Sequence, residues 1–137
     1  MKRIKICLAA LALAAPLGAV AGPFNAVTYG NINAKDVAPE VTDEFTKKFP
    51  TAKWSIFVWA TSGVTNKGVP YCSAIAGVIP KSSPQFPLQR YESLKMDPSQ
   101  TTTLNVGETR TWAIDCARSA VSNMMSDNLN DIYRPNV

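Results

Sequence analysis

The first 21 residues decide which part of this chain is left to fold, and in which compartment. Met1-Lys2-Arg3-Ile4-Lys5 is a short cationic start, Ile6 to Ala15 is an unbroken apolar run, and Ala19-Val20-Ala21 sets small residues at the positions a signal peptidase reads. The apolar run is too short to span a bilayer, and no second hydrophobic span follows it. The expectation is a secretory signal peptide over residues 1–21 and a single exported domain over 22–137. The cationic start and alanine-rich core are of bacterial type. The periplasm is then the default compartment, with release beyond an outer membrane as the alternative.

Cleavage changes the charge. Lys2, Arg3 and Lys5 leave with the signal, so 14 basic residues become 11 while all 10 acids stay, and the net charge falls from +4 to +1. Nucleic-acid binding needs a surviving basic patch. Only Lys47 and Lys48 are adjacent, with Asp43 and Glu44 close by, so no nucleic-acid partner is expected.

Cleavage also removes Cys7, which lacks the small residues that precede a lipoprotein cysteine. Cys72 and Cys116 remain, and a lone pair in an oxidising compartment is expected to bridge. The loop closed is 44 residues long, worth about 4 kcal/mol in the chain-entropy model. Two buried free thiols are the alternative. A domain of this size builds only a modest core, so a covalent staple is physically sensible.

Asp36 reads as a helix N-cap, with Pro39 in the first turn and Pro50 as the stop. Val37, Val41, Phe45 and Phe49 recur every four residues as one apolar stripe, and the acids precede Lys47 and Lys48 in the sense the helix dipole favours. Residues 53–61 and 69–79 read as strands joined by a turn-rich segment. Residues 85–94 read as a third strand, placed at an edge by Pro87, which has no N–H for a ladder. Residues 101–106 are a candidate fourth strand, and Ala26 to Tyr29 a short edge strand. Residues 108–133 read as a long helix with an apolar face from Trp112 to Ile132.

Strand alternation puts Cys72, Ala74, Ala76 and Val78 on one face, and helical spacing does the same for Ala113, Cys116, Ala117 and Ala120. Both surfaces are small-residue surfaces, and a Cys72–Cys116 bridge clamps them together. The expected fold is α+β: an antiparallel three- or four-stranded sheet with an N-terminal and a long C-terminal helix on one face, in the order α-β-β-β-(β)-α, with one disulfide.

The same alternation fills the other face. If Trp54, Ile56, Val58 and Ala60 face the helices, Phe57 and Trp59 face away, joined by Tyr71 and Ile75 and, from the third strand, Tyr91. Phe57, Trp59, Tyr71, Ile75 and Tyr91 are therefore the candidate binding residues, since an aromatic cluster on an outer face marks an interaction site. Two other solutions exist. The N-terminal segment (Phe24, Val27, Tyr29) folds over this face as ordinary core, or the first strand is reversed and presents Trp54 in place of Trp59.

The chain has no histidine, which removes imidazole acid–base chemistry, Ser-His-Asp and Cys-His nucleophiles and histidine-ligated zinc. A bridged cysteine pair leaves no thiol nucleophile. Asp127 and Asp131 share a helical face but lack the glycine turn of a calcium loop, and read as solvated polar surface. The glycines are scattered and form no phosphate loop. No metal, no cofactor and no enzyme activity are expected. The function expected is an exported, small, non-catalytic binding protein acting on another protein through a surface, as inhibitor, immunity-type partner or envelope or host-protein binder. The alternatives are an assembly accessory of the envelope and a carrier of a small apolar ligand.

Overall fold

The computed structural model describes residues 23–82, 86–100 and 103–133; the expected signal segment lies outside them. The fold is α+β, and its four-stranded sheet runs in the order β1-β2-β3-β4. β1 is Ala26–Tyr29, β2 Trp54–Val64, β3 Pro70–Pro80 and β4 Tyr91–Met96. The helices are α1 (Ala34–Val37), α2 (Asp43–Lys48) and α3 (Val106–Met125), with a 3-10 turn at Ala38–Glu40.

The sheet is mixed, which corrects the all-antiparallel expectation. β2–β3 and β3–β4 are antiparallel, but β1 runs parallel to β2, pairing Ala26 with Ile56 and Tyr29 with Trp59. The reason lies in the connection. The chain leaves β1 at its Tyr29 end, crosses the helical layer through α1 and α2, and re-enters the sheet at the end where β1 began, as a parallel pair requires. Gly30, at φ +92°, makes the exit possible: a Cβ there would lie 1.9 Å from the Ala60 carbonyl oxygen.

The single helix expected from Asp36 to Phe49 is broken. Pro39 has no N–H to donate and disfavours a continuing helix, so the chain passes through the 3-10 turn and Val41 is extended. Thr42 then caps α2, its hydroxyl accepting from Phe45 N at 3.3 Å. Asn33, not Asp36, is the N-cap of α1, and Asp36 closes the first turn by accepting from Asn33 N at 2.8 Å. The apolar stripe survives the break, for Val37, Val41, Phe45 and Phe49 are all buried in one core.

Two further boundaries moved. Residues 103–105 are not a strand. Asn105 caps α3, accepting from Glu108 N at 2.9 Å while Glu108 Oε2 accepts from Asn105 N at 2.8 Å. α3 ends at Met125, where Ser126 turns back on Ser122 and the side chains of Asp127 and Asn128 bond to nearby backbone instead. Leu129 and Ile132 still pack on the core from beyond the helix.

The clamp is as expected. Cys72 and Cys116 are bridged, with Cα atoms 6.0 Å apart. Around them Ala74 and Ala76 of β3 meet Ala113, Ala117 and Ala120 of α3, all essentially without solvent contact. Ile56, Val58 and Ala60 of β2 join the same core, so the helix-facing side of β2 is the one alternation selected. A second tie runs from α3 to α1: Arg110 meets Asp36 Oδ2 at 2.7 Å, and Arg118 Nε donates to the Asp36 carbonyl at 2.6 Å.

Candidate functional site

The side of the sheet turned away from the helices is built row by row from the register. Tyr29, Trp59, Ile75 and Glu92 form one row across the four strands. Thr61, Ser73 and Leu94 form the next, and Gly63, Tyr71 and Met96 the last. At the opposite end Val27, Phe57 and Gly77 align. Cross-strand neighbours on one face are in contact, so each row is a strip of side chains, interrupted at Gly63 and Gly77.

The two ends differ. At the Phe57 end the segment after residue 85 folds over the sheet. Pro87 lies so close to Gly77 that a Cβ there would fall 2.4 Å from the Pro87 Cβ. Phe86 stacks edge-on against Phe57, with ring centroids 4.9 Å apart, and Tyr29 packs on its other side at 5.5 Å. Phe57 is buried as a result. In the alternative reading Phe24, Val27 and Tyr29 cover this face; the cover comes mainly from Phe86 and Pro87, with Tyr29 packing on Phe57 from within the sheet that residues 26–29 extend. Residues 86–90, read as part of the third strand, are this covering loop, and the strand itself begins at Tyr91; residue 85 lies outside the described residues.

Toward the other end the face is open. Trp59 is 37% exposed, Tyr29 52%, Met96 52% and Leu94 71%. Tyr71 and Ile75 are half-buried between them. Trp59, Tyr71 and Ile75 are thus brought together on one surface, with Phe57 beneath its edge.

Tyr91 does not join them. Its partner across the ladder is Ala76, so it shares the helix-facing side, where its hydroxyl donates to Asp127 Oδ2 at 2.5 Å. Burial, then this hydrogen bond and the nearby charges of Asp127 and Asp131, push the phenol well above its ordinary value, so it is a neutral donor at physiological pH. Leu94, Met96, Phe86 and Leu88 were missed as surface residues. The alternation Glu92-Leu94-Met96 was the available signal, hidden by ending the strand at Leu94.

Asp115, Lys95 and Asp36 have structural roles. Asp115 pairs with Lys95 at 3.2 Å, both half-exposed, and Lys95 also sits 5.0 Å from the centre of the Trp112 ring. An exposed pair of this kind contributes little to stability. Asp36 would be raised by burial, but Asn33 N–H and the Arg110 guanidinium outweigh that and hold its carboxyl below the usual range. Among the described residues no group of three or more Cys, Asp or Glu is placed to hold a metal ion, and no helix is long and apolar enough to cross a membrane. An open depression of about 500 Å³ lies at the N-terminal end of α3, lined by residues such as Leu104, Glu108 and Trp112. Between helix and sheet, the gap framed by Phe24, Phe45, Phe49 and Trp54 has no room for a water molecule. In comparisons with protein-family models, curated proteins and solved structures, nothing matches this chain.

Proposed function

We propose that the chain is an exported, non-catalytic binding protein that engages a partner protein through the outer face of its sheet. One observation carries this. Seven large apolar side chains are exposed among the described residues, and six of them (Tyr29, Trp59, Phe86, Leu88, Leu94 and Met96) lie on that face or on the loop laid over it. Only Val106 lies elsewhere. Scattered exposed apolar residues are ordinary, but a collected patch containing Trp and Tyr is the composition of an interface centre. The buried disulfide is compatible with an oxidising, exported setting, with the periplasm as the compartment proposed.

The test is affinity capture from an envelope extract with oxidised residues 22–137 as bait, followed by a direct titration of whatever is recovered. Trp59→Ser and, on the helical side, Glu44→Ala serve as comparison baits. The expected result is one stoichiometric partner whose affinity falls at least tenfold with Trp59→Ser and not with Glu44→Ala, with the melting temperature of the Trp59 variant close to wild type. A partner that binds all three baits equally, or no partner at all, counts against the reading.

A further inference from the structure

β4 is the last strand of the sheet, and among the described residues no strand pairs with its outward edge. The backbone parity of that edge is fixed by one bond. Asp97 N donates to the Pro70 carbonyl at 3.1 Å, so Tyr91, Ser93 and Lys95, of the same parity, turn their backbone groups toward β3. Glu92, Leu94 and Met96 turn theirs outward. Asn123 Nδ2 reaches the Glu92 carbonyl from α3 at 3.2 Å, as that parity requires.

Edges of this kind are usually guarded by charge, proline or a bulge. In β4 the lysine is not on guard. Lys95 belongs to the helix-facing side, drawn under the sheet by Asp115 and the Trp112 ring. The outer side of the edge is Glu92, Leu94 and Met96, the last two among the most exposed apolar side chains described. The opposite edge offers no equivalent, since β1 has four residues and Gly30 then carries the chain away.

We infer that β4 pairs antiparallel with β4 of a second copy of this chain, about a twofold axis at Leu94, to give one continuous eight-stranded sheet. The register follows from the residues. Centring on Leu94 sets Leu94 against Leu94, Glu92 against Met96 and Ser93 against Lys95, so every outward residue meets an outward residue and no like charges face each other. A twofold at Glu92 opposes two carboxylates, and one at Lys95 two ammonium groups. A twofold at Ser93 leaves Met96 without a partner. A shift of one residue sets outward groups against inward ones. The Glu92 carbonyl keeps Asn123 and still accepts from Met96 N–H of the second copy, because a carbonyl oxygen has two lone pairs. The symmetry closes, so the assembly stops at two. The two outer faces then run together across the Leu94 pair. The inference goes beyond the partner-binding reading and stands without it, since the hydrogen-bonding edge carries it.

The experiment is sedimentation equilibrium on oxidised residues 22–137 from about 1 μM to 1 mM, a range that brackets weak and moderate association. Wild type is compared with Leu94→Lys, and disulfide cross-linking of Leu94→Cys with that of Tyr29→Cys. Hydrogen-bonded antiparallel neighbours have Cα atoms about 5.5 Å apart, within disulfide reach. The expected result is a dimer and nothing larger, weakened at least tenfold by Leu94→Lys at an unchanged monomer melting temperature, with Leu94→Cys trapping a covalent dimer at least tenfold faster than Tyr29→Cys. A monomer throughout, a larger oligomer, or equal trapping at Tyr29, which would mean faces stacked on each other, overturns it. If the wild type stays monomeric but captures a Trp59-sensitive partner, this inference falls and the partner-binding reading stands. A dimer that captures nothing gives the converse.

Discussion

Removing the Cys72–Cys116 bridge tests whether this small core holds without its staple. Two perturbations separate two causes. Reducing the wild type leaves every packing atom in place and removes only the covalent constraint. The double substitution Cys72→Ala and Cys116→Ala also deletes two sulfurs from sites with essentially no solvent exposure. The bridge spans 44 residues, and loop closure of that length is worth about 4 kcal/mol. A domain of this size is stabilised by about 5–15 kcal/mol in total, so reduction is expected to remove a large part of it. With a urea slope of roughly 2 kcal/mol per molar, the midpoint should fall by about 2 M on reduction. The slope itself should rise, because an uncrosslinked denatured chain exposes more surface. The double variant should fall further, since deleted buried atoms add a cavity cost. Tryptophan fluorescence is a suitable probe, because Trp54 and Trp112 both pack against the core. Oxidised and reduced protein unfolding at the same urea concentration would refute the reasoning. It would mean that the small-residue contact of α3 on β3, rather than the covalent link, carries the stability of this layer.

Two further perturbations have defined outcomes. Gly77→Ala puts a Cβ 2.4 Å from Pro87 Cβ and 2.7 Å from the Gln89 carbonyl oxygen, so the covering loop must lift. The expected cost is about 1–3 kcal/mol with faster proteolysis near Arg90, and an unchanged cleavage rate would show that the loop does not depend on this contact. Asp36 has a folded-state carboxyl held below its unfolded value by Asn33 N–H and Arg110. Its contribution is therefore fully present above the unfolded value of about 4 and is lost as pH falls through the folded one. The difference in melting temperature between wild type and Asp36→Asn should shrink as pH drops below about 4, and a constant difference would sink the assignment.

The parts of this fold that were legible in the sequence are those where one face demands one residue size. Cys72, Ala74, Ala76 and Val78 against Ala113, Cys116, Ala117 and Ala120 is such a pattern, and it located the bridge, the helix and the facing strand together. The parts that were not legible depend on connections. The parallel pairing of β1 is set by where the chain returns after α2, which no local pattern encodes. Phe86 and Leu88 have strand-like residue types, yet they belong to the loop because Gly77 leaves a hollow for Pro87 on the far side of the sheet. Asn33 with Asp36 and Asn105 with Glu108 are capping pairs three residues apart, a spacing readable in the sequence. On the outer face Trp59, Tyr71 and Ile75 followed from alternation alone. Tyr91 required the start of β4, and a shift of one residue there moves a side chain through the sheet.

The two faces of the sheet explain each other. A helix bridged to a strand by a disulfide must lie close, so the residues between them are small, and alanines on β3 and α3 bury little apolar area apiece. Much of the large apolar surface is then placed elsewhere. Part goes under the ends of the layer, as Phe45, Phe49 and Trp54. Another part stands on the outer face, where Phe86 and Pro87 cover one end and leave the other to solvent. A chain that needed only to fold would have little use for Leu94 and Met96 at 71% and 52% exposure on an open edge. Their side chains add nothing to the core on the far side of the sheet, and their outward backbone groups invite pairing. The bridge closes the small-residue layer on one side of the sheet, and the large exposed side chains stand on the other.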